Sequence, residues 1–245
     1  FYGVGPDSQQ GAQSRYREAR TDASATIDAH VWRSSRVRTW AGVRKVDLSD
    51  GHFGGDPSLT QEAATGAFAV PFGFNRGYAG PYGGVDLALD TRDDGDPRSG
   101  VRLEALGALG SDMQHGASGW AHYGAIATAF WDVDGCRRIL SLSGGASFVD
   151  PLGDDPVPFT ELVTLGDGRW MSGYFPGRLR GRSAAVAMLR YDWPIASFID
   201  GTMQAVVGNV FDEHLDGFRP GELRFSGAIG ITTNPDVVSS FAGAT

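Results

Sequence analysis

The residues of this chain with catalytic potential do not gather into a reacting group. Its histidines, His30, His52, His115, His122 and His214, are scattered along the sequence, and no Gly-x-Ser-x-Gly elbow or His-Glu-x-x-His pair accompanies them. His30 and His122 read more simply as polar residues on strands. Gly3-Val4-Gly5 lacks the strand and helix that a nucleotide fingerprint requires. The turn carrying Asp90, Asp93, Asp94 and Asp96 has the flavour of a calcium loop. Arg92 fills its second ligand slot and no glutamate closes it, so a tight turn with a strand-end ion pair is the better reading. Cys136 is the sole cysteine, which excludes an internal disulfide and any multi-cysteine zinc cluster. These residues predict no enzyme, no cofactor and no metal.

The composition narrows the class further. With 29 acidic and 21 basic residues the net charge is −8, which offers no basic stripe for nucleic-acid phosphates. The 36 glycines and the 11% aromatic content favour many short strands and tight turns. No apolar run approaches the ~20 residues of a membrane helix; the best, residues 67–74, is broken by Pro71 and Gly73. The start at Phe1, with no basic and apolar leader, fits a processed protein or a fragment and leaves the compartment open.

Period-2 alternation then locates strands whose two faces meet different solvents. Ala23, Ala25, Ile27, Ala29 and Val31 share one face, against Ser24, Thr26, Asp28 and His30 on the other. Val85, Leu87 and Leu89 oppose Asp86 and Asp90, and Val101, Leu103 and Ala105 oppose Arg102 and Glu104. Leu140, Leu142, Ala146 and Phe148 oppose Ser141, Ser143 and Ser147, while Leu223, Phe225, Gly227, Ile229 and Ile231 oppose Arg224, Ser226, Ala228, Gly230 and Thr232. Residues 119–133 and 203–210 do not choose a face. Short connections at 33–36, 93–99, 132–136, 194–201 and 233–236 alternate with long ones at 49–77, 111–118, 150–182 and 212–222. Mid-strand charges on the polar faces and alternating connection lengths favour an antiparallel transmembrane β-barrel over a sandwich, with about ten strands in the chain. Trp32, Trp120, Trp131, Trp193 and Tyr191 fall near strand ends, where amphipathic rings prefer the headgroup level.

Two segments carry a family resemblance. VDLALDTRDDGDPRSG, residues 85–100, is similar to the Asp-Thr-Arg-Asp and Pro-x-x-Gly strand and turn of the bacterial surface-antigen barrels, through Asp90, Thr91, Arg92, Asp93, Pro97 and Gly100. GRLRGRSAAVAMLRYDWPI, residues 177–195, resembles that superfamily's Val-Arg-Gly-Tyr motif in the sixth extracellular loop, followed by a strand ending Glu-x-Arg-x-Pro. The superfamily includes the BamA insertase, TamA and the two-partner-secretion transporters. FYGVGPDS at the start is similar to the segment that opens an early strand of these barrels, and residues 207–210 echo a later Ala-Gly-Asn-Val.

The resemblance implies an all-β outer-membrane barrel of sixteen strands, of which residues 1–245 form one domain, incomplete at both ends. It also implies that the loop motif Leu179, Arg180 and Gly181 folds inward, with Arg180 pinned by wall carboxylates. Here the sequence departs from the family. Arg190 stands for the expected Glu, Asp192 for the expected Arg, and Val206 at the acidic position before Gly-Asn-Val, leaving Asp192 and Arg190 as the nearest partners for Arg180. The implied function is non-catalytic: protein assembly or translocation in the bacterial outer membrane, handling client polypeptides through the barrel seam or lumen. Its partners would be lipid, a client or passenger domain, and periplasmic or lipoprotein factors, with no nucleic acid. The alternative is a barrel that anchors or secretes a fused hydrolase of the patatin-like phospholipase kind; a passive porin is the less favoured third.

Overall fold

In a computed structural model, described over residues 1–92, 99–116, 118–166, 170–196 and 199–233, the chain is all-β, with 60% strand against 8% helix. The strands are β1 (Tyr16–Trp32), β2 (Ser35–Asp50), β3 (Tyr78–Asp90), β4 (Gly100–Asp112), β5 (Ser118–Asp132), β6 (Ile139–Pro151), β7 (Val163–Leu165), β8 (Leu179–Gly181), β9 (Ser183–Ala196), β10 (Ile199–Phe211) and β11 (Arg224–Thr233). Nine of them form one sheet in the order β1-β2-β3-β4-β5-β6-β9-β10-β11, every neighbour antiparallel. β7 and β8 pair separately. β1 and β11 are the sheet's edges and, among the described residues, do not pair with each other.

The up-and-down order puts the three longest connections, residues 51–77, 152–182 and 212–223, at one end together with the short 113–117 connection; the connections at 33–34, 91–99, 133–138 and 197–198 lie at the other. Strand pairing at Trp40 and Gly84, Gly110 and Trp120, and Trp193 and Gly201 sets a glycine directly opposite an indole. A Cβ on any of these glycines would sit within 2.3–2.6 Å of the ring. Part of the high glycine content is therefore space for tryptophan, which an antiparallel pair brings to close Cβ distance.

The 51–77 and 152–182 connections fold over one face. Val46, Tyr78, Trp120 and Val149 on the sheet pack with Val157 of the 152–182 connection. Ala184, Met188, Val206 and Val210 pack under Leu165, Met171 and Leu179 of the same connection. The short helix α1 (Leu59–Ala64), started by a capping box between Ser58 and Gln61, buries Leu59 against Phe74 and Phe159. The opposite face carries no such cover. Trp120 is therefore a core residue, 3% exposed and edge-on to Tyr78, and not the headgroup-level ring expected from its position. Trp131 and the stacked Tyr191 and Trp193 stay at the turn end of their strands. FYGVGPDS opens no strand: it bends and turns across the loop end with Tyr2 buried, bonded through Gly5 N–H to the Arg180 carbonyl.

Candidate functional site

The bare face is apolar over the middle of the sheet, with charges such as the Lys45 and Asp47 pair of β2 only near the loop end. Ile27 and Val31 on β1, Val43 on β2, Val85 and Leu89 on β3, Leu103 and Leu109 on β4, Leu142 on β6, Leu189 on β9, Met203 on β10 and Ile229 on β11 all stand exposed. The covered face carries the charges, and most find a partner there. Arg38 binds Asp28 across β1 and β2, Arg36 meets Asp86 at 3.8 Å, and Arg102 binds Glu104 at 2.9 Å.

This face is the seat of the 152–182 connection, and its fastening is an acid that no motif or spacing marked. Phe159 to Glu161 forms a 3-10 turn, held by a hydrogen bond from Phe159 N–H to the Phe72 carbonyl at 3.0 Å. The Phe159 ring is met by Phe1, Tyr16 and Phe74, so one buried ring gathers the chain start, β1 and two long connections. Two residues on, Glu161 points into the wall. Arg44 of β2 donates to it at 2.9 Å, the Tyr78 hydroxyl of β3 donates to the same oxygen, and His122 of β5 stands 3.8 Å from the other. Arg44 is shared with Asp22 of β1 at 2.8 Å and lies over the Tyr82 ring at 4.1 Å. Burial works to raise the pKa of Glu161, but the nearby His122 ring, the Tyr78 hydrogen bond and the Arg44 charge outweigh it and hold the carboxyl at about 2. One loop carboxylate thus ties three separate strands.

Arg180 has a different environment from the one expected of it. It is buried, donates to the Phe159 carbonyl and lies 5.4 Å from the Phe159 ring centre. It does not reach Asp192, whose carboxylate accepts three hydrogen bonds of 2.8–3.0 Å from Arg190. The reason is the strand itself. Arg180 precedes the loop end of β9 while Asp192 lies near its turn end, roughly 30 Å further along at ~3.3 Å per residue. Leu179 is buried in the loop core, and Gly181 stands where a Cβ would come within 2.7 Å of the Phe211 carbonyl. Arg190 and Asp192 line an open recess of about 470 Å³ with Thr128, Ser143, Met188 and Gln204.

We expect Arg180→Ala to loosen the connection by about 2 kcal/mol, the usual scale for a charged hydrogen bond. Arg180→Lys should recover only part, lacking the planar group that stacks on Phe159. Chymotrypsin cleavage rates within 152–182, whose cleavage sites these substitutions leave in place, measure both; equal rates in wild type and Arg180→Ala would show that Arg180 does not hold the loop.

At the turn end, Asp90 is fully buried and bound to Arg92 through its backbone N–H at 3.1 Å, Nε at 3.0 Å and Nη2 at 2.8 Å. Thr91 exchanges hydrogen bonds with Val101 across the strand ends. A Cβ on Gly100, whose φ is +150°, would strike Arg92 and Thr91. Asp93 and Pro97 of this motif, with Asp94 and Asp96, lie outside the described residues. At the loop end of the bare face, Arg182 bridges Asp150 and Glu213 at 3.0 Å each, and Asp150 also accepts from Tyr123 at 2.7 Å. His214 meets Asp150 through Nε2 at 3.0 Å and Glu213 through Nδ1 at 3.5 Å; one donor atom from each of these three residues lies within 4.8 Å of the others, with both carboxylates already paired to Arg182.

Fold and site together define an all-β protein whose large antiparallel sheet has one apolar bare face and one charged face under loops that enter from a single end. The chain matches no protein-family model and no curated protein, so the surface-antigen resemblance rests on the quoted motifs.

Proposed function

We propose that this chain forms the wall of a bacterial outer-membrane β-barrel that handles client polypeptides in assembly or translocation, without catalysis of its own. The observation that carries the reading is the inversion of the two faces. A contiguous apolar surface spanning nine strands is far larger than a water-soluble monomer tolerates, whereas in lipid it is the favourable side. Paired charges on the covered face suit a wet interior closed at one end by the 51–77 and 152–182 connections. The edges β1 and β11 support the same reading. Unpaired N–H and C=O groups cost several kcal/mol each in hydrocarbon, so in the membrane they meet each other or further strands, as barrel closure at the family's strand number requires.

The Arg190 and Asp192 pairing favours one second reading. These residues satisfy each other and leave Arg180 to a backbone carbonyl, unlike the pinned loop that the resemblance implies for an insertase. A barrel that anchors or secretes a fused hydrolase would not need that pin.

Fractionation of expressing cells tests the membrane assignment. The protein is expected in the outer membrane, to need detergent for extraction, and to shift its gel mobility on heating. Recovery as a monodisperse species in detergent-free buffer would end the proposal.

A further inference from the structure

The covered face satisfies its arginines with carboxylates almost throughout, as Arg44, Arg92 and Arg190 show. Arg178 and Arg224 are treated differently. Arg178, 4% exposed, donates from Nη1 to the Ser8 hydroxyl at 2.8 Å and from Nη2 to the Ser8 carbonyl at 3.0 Å. Arg224, at the loop end of β11, donates from Nη2 to the Pro6 carbonyl at 2.6 Å and to the same Ser8 carbonyl at 3.3 Å. Two guanidinium groups therefore stand side by side on one neutral oxygen.

Neither has a carboxylate partner among the described residues; Asp7, next in sequence to Ser8, is exposed and pairs with neither. The Arg224 Nε–H is enclosed without an acceptor. Burial, and after it the neighbouring Arg224 charge, lower the Arg178 pKa from its ordinary value. Like charges held together away from water are costly unless an opposite charge joins them, and carbonyl oxygens supply only partial charge. In a chain of net charge −8, such a pair is not explained by a general excess of cations.

We propose that Arg178 and Arg224, with the Ser8 hydroxyl, form a binding site for a phosphate-type oxyanion. Two planar forks and a hydroxyl present donors from several directions, which a tetrahedral anion with several acceptor oxygens uses more fully than a planar carboxylate. The nearest open recess, of about 460 Å³, is lined by Ser8 and Tyr2, the latter with its ring 4.9 Å from Arg178, together with Val4, Asp7, Phe68 and Pro71; the two arginines lie behind Ser8 and Tyr2, and an anion entering here passes the Asp7 carboxylate. The group recognised is the phosphate, whether free in solution or carried by a lipid headgroup. The site does not depend on the membrane reading, since it is built wholly from the chain's loop end.

The test is thermal unfolding, followed by tryptophan fluorescence, of the full chain in nonionic detergent. One arm titrates inorganic phosphate against chloride at equal ionic strength, and a second dopes the micelles with phosphatidylglycerol or with phosphate-free diacylglycerol. The wild type is expected to rise by at least ~2 °C with inorganic phosphate, or with the phospholipid only if the headgroup is the source. Arg224→Gln should abolish that rise, and without anion it should unfold no earlier than wild type, because a like charge has been removed from Arg178. Ser8→Ala, a milder change, should reduce the rise without abolishing it. A wild type indifferent to both phosphate sources overturns the site. So does an Arg224→Gln protein that keeps the full rise, or one that is destabilised equally with and without anion, since the pair would then be purely structural.

Discussion

Ile229→Arg should cost on the order of 2–4 kcal/mol and block insertion, while Ala228→Arg, one residue away, should be mild. Ile229 is the midpoint of β11 on the bare face and is 81% exposed, so in a bilayer its side chain sits at the depth where a guanidinium is most costly. Ala228 faces the covered, charged side beside Gln204, where water and polar partners accept the charge. Leu87→Arg on β3 should behave like Ile229→Arg, and Asp86→Asn, which only weakens the 3.8 Å contact with Arg36, should be tolerated. Ser226 is not a usable control despite its covered face: it is buried and accepts from Gly173 N–H at 2.9 Å, so an arginine there would expel the loop. The readout is the heat-modifiable folded fraction in isolated outer membranes. Equal losses for Ile229→Arg and Ala228→Arg would reverse or abolish the assignment of the lipid face.

The second large effect is expected at Glu161. Glu161→Ala removes the one carboxylate shared by Arg44, Tyr78 and His122 and leaves a wall cation half-compensated by Asp22. Breaking a buried pair from one side costs about 3–5 kcal/mol, which here falls on the seating of 152–182 and not on the strands. The pH dependence has a definite sign. The carboxyl titrates at about 2 in the folded protein against 4.5 ordinarily, so its stabilisation is complete above pH 4.5 and is lost as the pH falls from there towards 2. The shift corresponds to on the order of 3 kcal/mol. Wild type should therefore lose loop protection from protease across that window, with the sheet intact by far-UV circular dichroism. Glu161→Gln should begin with weaker protection and show little further change. A wild-type loop as protected at pH 3 as at pH 6 would refute the latch.

Much of the fold was legible in the residues because a strand between two solvents writes its environment into alternate positions. The faces of residues 23–32, 85–90, 101–105, 140–148 and 223–232 are those seen, and the expected long connections at 49–77, 150–182 and 212–222 share one end; the one expected at 111–118 is shorter than the 91–99 connection opposite, and the turn expected at 233–236 runs beyond the described residues. The two stretches that chose no face have a physical reason for it. In β10, Val206 and Val210 are apolar on the covered face because Leu165, Met171 and Leu179 rest on them. In β5, Trp120 is apolar there because it meets Tyr78 and Val149. Loop packing erases the period-2 signal wherever a loop sits.

The candidate site was much less legible. Arg180 and its neighbours were selected by a motif, and the arginine is indeed buried in the loop core, but its partner is a backbone carbonyl that no side-chain pattern marks. Glu161 is an ordinary acid in a long connection, 117 residues from Arg44 and remote from Tyr78 and His122 in sequence. The same holds for Arg178 and Arg224, which meet through Ser8 across 170 and 216 residues. Residue alternation alone was enough to read an antiparallel sheet with one apolar and one polar face and its longest loops gathered at one end. Which loop residue fastens to the wall, and which arginines go without a counter-charge, emerged from the packing of the folded chain. Alternation along a strand is a local property of the chain, whereas an ion pair depends on which strands become neighbours and how far along them each partner lies.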